Sequence, residues 1–135
     1  MSELNEAQIQ YLADLRDPEK KQTTGVMKRS FNGVDRFCCM GVACDRFAPE
    51  TLLELDNYTG AENTTYGADD GHGRPLVSEM PRRVNEALGL DDADNASMAS
   101  MNDFDGLSFK EIADILEEFW KSGRGPGRLQ DLRGF

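Results

Sequence analysis

Apolar residues recur along this chain with a period that changes several times, and the densest run is Phe37–Phe47, Phe-Cys-Cys-Met-Gly-Val-Ala-Cys-Asp-Arg-Phe. At helical spacing Phe37, Met40, Cys44 and Phe47 form a bulky stripe, while Cys38, Gly41, Cys44 or Asp45, and Ala48 form a smaller one. The pattern predicts a central helix buried on both faces, with the small face admitting another backbone closely. Gly41 costs about 1 kcal/mol relative to alanine inside a helix, and close approach is the reason to keep it. Asp35 is placed to cap the first turn, and Pro49 after Ala48 ends the helix.

The other segments are read around that helix. Leu4, Ile9, Tyr11, Leu12 and Leu15 predict a helix over residues 3–16, closed by Asp17-Pro18. Glu19–Thr24 reads as a polar loop. Gly25–Phe31 can run extended, Asn32-Gly33 is a strong hairpin signal, and Val34–Phe37 returns as the second strand. Thr51–Leu55 reads as an apolar turn or a third strand. Residues 57–75, with Gly60, Gly67, Gly71, Gly73 and Pro75 among Asn/Asp clusters, read as a long loop, functional or disordered. Pro81–Leu88 reads as a helix with Pro81 at its first position and a Gly89-Leu90 cap. Asp91–Asn95 reads as an acidic link, and Ala96–Met101 as a strand or a short helix. The last helix is the clearest. Ser108 caps it, Glu111 completes a capping box, Leu107 can staple onto Ile112, and Ile112, Ile115, Leu116 and Phe119 keep helical spacing.

The predicted fold class is therefore α+β. It is a single small domain over residues 1–122, with three to four helices around the Cys-rich helix and a small antiparallel sheet begun by the Asn32-Gly33 hairpin. Residues 123–135 form a Gly/Arg-rich tail, mobile unless Leu129, Leu132 and Phe135 dock.

Charge narrows the choice of partners. The net charge of −10 divides as −3 over residues 1–60, −10 over 61–120 and +3 over 121–135. Such a surface repels nucleic-acid backbones, so direct nucleic-acid binding is disfavoured outside the last fifteen residues. No run approaches the roughly 18 apolar residues of a membrane span, and the N-terminus lacks a secretory pattern. Three cysteines, two adjacent, fit reduced thiols in a cytoplasm.

Several residues could carry chemistry. Cys38 or Cys39, in the first turn of a helix and with His72 as base, would suit a nucleophile. A buried free cysteine also serves as a small apolar residue, which suits so hydrophobic a segment. Cys38, Cys39, Cys44 and His72 would make a Cys3His set, but adjacent thiols lack the usual zinc spacing. Asp92, Asp94 and Asp103 suggest a calcium loop that fails at its sixth position, Ser97. No metal and no cofactor is expected. His72 and Arg74 on a glycine loop, with Arg82 and Arg83 at the following helix start, could take a nucleotide-like anion. Glu86, Asp91, Asp92, Asp94, Asp103, Asp105, Asp114, Glu117 and Glu118 could instead form a partner-binding surface that imitates a phosphate array, or ordinary solubilising charge.

Phe37-Cys-Cys-Met-Gly-Val-Ala-Cys-Asp45 resembles a block, usually Cys-Cys-Leu-Gly-Val-Leu-Cys-Asp, of small proteins from bacteriophages and their bacterial hosts. Leu15-Arg16 before the block resembles that family, as do Asn102-Asp103 and Ser108-Phe109-Lys110-Glu111-Ile112-Ala113-Asp114 after it. Met40 and Ala43 depart from the usual leucines. The resemblance spans roughly residues 15–117 and supplies no catalytic residues. It implies a small accessory protein in the cytoplasm of a bacterial host, a setting where inhibitors of host defence are common. The leading expectation is a non-catalytic phage-type protein that binds and neutralises a host protein, such as a defence component, through its acidic surface. The alternatives are a protein that sequesters a nucleotide-like signal and a cysteine-dependent hydrolase.

Overall fold

The helix at the centre is α2 (Cys39–Phe47), in which Cys39 through Cys44 are all buried. A computed structural model of the chain describes residues 3–55 and 63–132. The helix begins later than the apolar run predicts. Phe37 ends a strand, and Cys38 is the N-cap, its Sγ accepting the Gly41 amide at 3.3 Å. Asp35 is not the cap. It stays in the preceding strand, where extended chain carries it away from the first turn and its carboxylate accepts the Ser30 hydroxyl at 2.6 Å. The small face does admit a backbone: a Cβ on Gly41 would overlap the carbonyl of Met27.

Against α2 pack α1 (Glu6–Arg16), α3 (Arg82–Leu88) and α4 (Asp92–Asp103), while α5 (Phe109–Lys121) packs on α1 and α4, and the short α6 (Leu129–Leu132) on α4 and α5. Asn5 and Gln8 form a capping box at the start of α1, and Ser108 with Glu111 forms the one expected for α5. Ile112, Leu116 and Phe119 of α5 are fully buried. Tyr11 of α1 donates to the Cys39 carbonyl at 2.6 Å and meets Trp120 of α5 edge to face. Arg46 reaches back from α2 to the buried Asp14 of α1 through two bonds of 2.7 and 2.8 Å. Burial pushes the Asp14 carboxyl up, but the bonds from Arg46 and Gln10 outweigh it and leave it below the ordinary range.

A mixed sheet runs in the order β1 (Lys21–Gln22), β3 (Val34–Phe37), β2 (Lys28–Phe31), β5 (Asn63–Asp69) and β4 (Leu52–Glu54), with β6 (Pro75–Leu76) also on β5. The hairpin of β2 (Lys28–Phe31) and β3 (Val34–Phe37) turns at Asn32 and Gly33, both with positive φ, as the two-residue turn requires. β1 (Lys21–Gln22) falls in the stretch read as a polar loop and pairs parallel with β3, so the sheet is not purely antiparallel. β4 (Leu52–Glu54) is a strand but joins β5 rather than the hairpin. The larger correction is β5 (Asn63–Asp69), an internal strand that lies inside the stretch predicted to be loop. Its polar sequence, Asn-Thr-Thr-Tyr-Gly-Ala-Asp, is half-buried because neighbours distant in sequence pair with it on both sides. The expectation for residues 57–62 lies outside the described residues.

The C-terminal half differs from expectation at its acidic stretch. Pro81 is the N-cap of α3 rather than its first residue, and the helix closes on Gly89 with the Leu90 amide on the Asn85 carbonyl at 2.9 Å. Asp91–Asn95 is not a link but the start of α4, because Asp91 and Asp94 make a reciprocal capping box. The interior of that helix holds Ala96–Met101. Asp94 is fully buried and also accepts the amides of Gly127 at 2.7 Å and Leu129 at 2.9 Å. Leu129 is thereby docked and fully buried, and Leu132 packs against the core; Phe135 lies outside the described residues. The result is a small single-domain α+β fold.

Candidate functional site

A groove of about 810 Å³ opens between the β5–β6 turn, the start of α3 and the start of α4. Local hydrogen bonds build one wall. Asp69 accepts the amides of Gly71 and Gly73, both at 2.9 Å, and Asp70 accepts those of His72 at 2.8 Å and Arg74 at 3.2 Å. Those amides, His72 first, hold the Asp70 carboxyl below the usual carboxylate range. β6 (Pro75–Leu76) then returns along β5. A buried pair, Asn85 and Asn95, fixes the opposite wall. Their amides bond each other at 2.9 and 3.1 Å, and Asn95 accepts the Met80 amide at 2.8 Å. This ties α3, α4 and the segment before α3 into one frame.

The lining joins apolar Leu76, Met80, Pro81 and Leu90 to carboxylates from Asp69, Asp70, Glu79, Glu86, Asp91 and Asp92. Arg82 and Arg83 also reach it, but Arg82 pairs with Glu86 at 2.9 Å and Arg83 with Glu50. The groove therefore carries a negative field with an apolar lining, which favours a cation bearing hydrophobic groups.

Of the four residues expected to hold an anion, only Arg82 and Arg83 line the groove. His72 and Arg74 lie exposed on the β5–β6 turn, with Arg74 3.6 Å from Asp70. The acidic residues read as one surface are dispersed. Glu86, Asp91 and Asp92 are at the groove; Asp103 and Asp105 flank the end of α4; Asp114, Glu117 and Glu118 cluster on α5 beside Arg16 and Lys121. Lys121 and Arg16 hold Glu117 below its ordinary range. Asp94 is interior and offers nothing to a partner. Asp69, Asp70 and Glu79 were missing from the sequence reading. The Asp-Asp before Gly-His-Gly was the available signal, but only the β5 pairing brings it opposite Asp91.

The thiols are elsewhere. Cys38, Cys39 and Cys44 are free and buried, and burial pushes all three up, Cys38 to about 12. The fold encloses them within the core while His72 stays on an exposed turn, so the pairing that a nucleophile needs is not assembled. Among the described residues no group of three or more His, Cys, Asp or Glu is placed to hold a metal ion. The Asp92–Asp103 stretch considered for calcium is helical. No helix of the described residues is long and apolar enough to cross a membrane.

No curated protein and no solved structure gives a significant match to this chain. A family described as a domain of unknown function, DUF8296, matches residues 4–120, and the chain belongs to that family.

Proposed function

We propose that this is a non-catalytic binding protein whose acidic, apolar-lined groove captures a basic segment of another protein. In the phage-type setting that the cysteine block resembles, that partner is a host factor, such as a defence component, and capture neutralises it. The observation that carries this reading is the composition of the groove: six carboxylates against two arginines, each already paired with a glutamate. The apolar lining adds to it, since Leu76, Met80, Pro81 and Leu90 can accept the aliphatic stems of lysine or arginine while the heads meet the rim. The same composition speaks against a nucleotide-like anion, which would bring negative charge to an already negative site.

Isothermal titration with an arginine- and leucine-rich peptide, against a glutamate-rich peptide of equal length, tests the reading. Binding of the basic peptide alone, weakened by salt and by Asp91→Asn with Asp92→Asn, is expected. Asparagine still caps helices well, so α4 survives the exchange. Equal affinity for both peptides, or none for either, would remove the groove from consideration. Capture from a bacterial lysate by the wild type but not by the double variant would then isolate the partner.

A further inference from the structure

The segment that follows α5 is held to the body at its two ends. Where α5 closes, the Gly123 amide donates to the Trp120 carbonyl at 3.2 Å. At the far end the Asp94 carboxylate uses both oxygens: Oδ2 accepts the Gly127 amide at 2.7 Å, and Oδ1 accepts the Leu129 amide at 2.9 Å. The Leu129 side chain is fully buried. Between these anchors Arg124, Gly125 and Pro126 are exposed. A segment with an exposed middle and few anchors opens at lower cost than the core does.

The far anchor is shared with the groove. Asp94 Oδ2 also accepts the Asp91 amide at 3.1 Å, and Asp91 Oδ1 in return accepts the amides of Ala93 at 2.9 Å and Asp94 at 3.2 Å. Asp91 itself lines the groove. Its other oxygen lies against Gly127: a Cβ there would come within 2.8 Å of Asp91 Oδ2, at a φ of +87° that side chains resist. Glycine lets the segment seat beside a groove carboxylate. We propose that residues 123–129 are a strap that gates the groove, with Asp94 as its latch and as the positioning residue for Asp91. Docked, the strap packs against Asp91 and holds its carboxylate in the groove wall. Released, it takes two of the three amides from Asp94 and weakens the box that caps α4. Asp91 and Asp92 then no longer meet a cation from a preorganised wall. The inference rests on the peptide reading of the groove and adds its regulation: holding the strap down tightens capture, and drawing it off loosens the captured segment. Coupling between two sites is reciprocal, so a captured peptide also holds the strap down.

Titration of the arginine- and leucine-rich peptide into the full chain and its variants tests the strap. Gly127→Ala sets a methyl against Asp91, and Leu129→Ala removes the buried anchor without touching either aspartate. Each should weaken the peptide about tenfold, within the range of about 5- to 150-fold for coupled sites. Gly33→Ala, strained by a φ of +78° in a turn at the opposite end of the sheet, should leave the affinity unchanged. Circular dichroism checks that each variant keeps its fold. Hydrogen exchange gives the reciprocal readout, which a merely structural role would not move. With peptide bound, the wild-type Gly127 and Leu129 amides should exchange about tenfold more slowly, and those at the Asn32-Gly33 turn at their former rate. Strap variants that bind as the wild type does would overturn the strap and leave the peptide reading standing. So would Gly127 and Leu129 amides that exchange at one rate with and without peptide. No binding of the peptide by the wild type would remove both.

Discussion

Gly41 in α2 and Met27 ahead of β2 meet backbone to backbone, and the Met27 carbonyl oxygen occupies the place where a side chain on Gly41 would begin. The same carbonyl accepts the Cys38 amide at 3.2 Å, so the start of α2 is fixed to the strand that enters the sheet. Gly41→Ala should therefore destabilise the protein by about 2–3 kcal/mol, because a methyl against fixed backbone overpacks the core. Helix propensity alone argues for a gain of about 1 kcal/mol, so the sign decides between the two effects. Urea unfolding of wild type and variant measures it.

The buried carboxylate of Asp94 receives three amides, from Asp91, Gly127 and Leu129. Asp94→Asn replaces one acceptor oxygen by a donor and sets N–H against N–H. A loss of about 2–3 kcal/mol is expected, in the range for buried bonds to a charged group. Hydrogen exchange should localise it, with the Gly127 and Leu129 amides losing protection before those of α5.

Arg46 holds Asp14 below the ordinary carboxylate range. The stability this pair contributes is present above the unfolded carboxylate pKa of about 4 and is lost as pH falls through the lower folded value. Arg46→Gln should cost about 2 kcal/mol at neutral pH, since it leaves a buried carboxylate without its cation. The difference from wild type should shrink as pH drops below about 4. Thermal unfolding across that range gives the test.

The three thiols predict the opposite pH trend. Burial raises all of them in the folded protein, so their contribution is complete below the unfolded thiol pKa of about 8.5. It falls as pH rises, by up to about 1.4 kcal/mol per unit for each thiol, until the folded pKa is reached. Cys44→Ala should remove about one proton from the alkaline slope of stability. Iodoacetamide should label none of the three at neutral pH faster than the protein opens; rapid labelling of Cys38 or Cys39 in the folded state would restore the case for a thiol nucleophile.

Several local signals were legible in the sequence, although Asp35 does not cap α2 and the Asp91–Asp94 box passed for a link; the non-local ones were not. Asn32-Gly33, Ser108 with Glu111, and Gly89-Leu90 act over a few residues, and each forms the turn or cap that its chemistry specifies. Gly41 marked a close approach, though nothing in the sequence pointed to Met27. β5 was hidden because Asn63–Asp69 has few apolar residues and is made a strand by partners on both sides. The start of α4 was hidden because its capping box is built from two aspartates in a cluster that otherwise looks like solvated charge. The groove inherits both difficulties, since its walls are β5 and α4.

Ribosomes release a chain from its N-terminus, and domains tend to fold in that order. Here the interior cannot be completed that way, because Asp94 lacks two of its three amide donors until residues 127–129 emerge. Folding of this domain therefore finishes only after residue 129 has left the ribosome, and a nascent chain stalled after α5 would hold an under-satisfied carboxylate at its core.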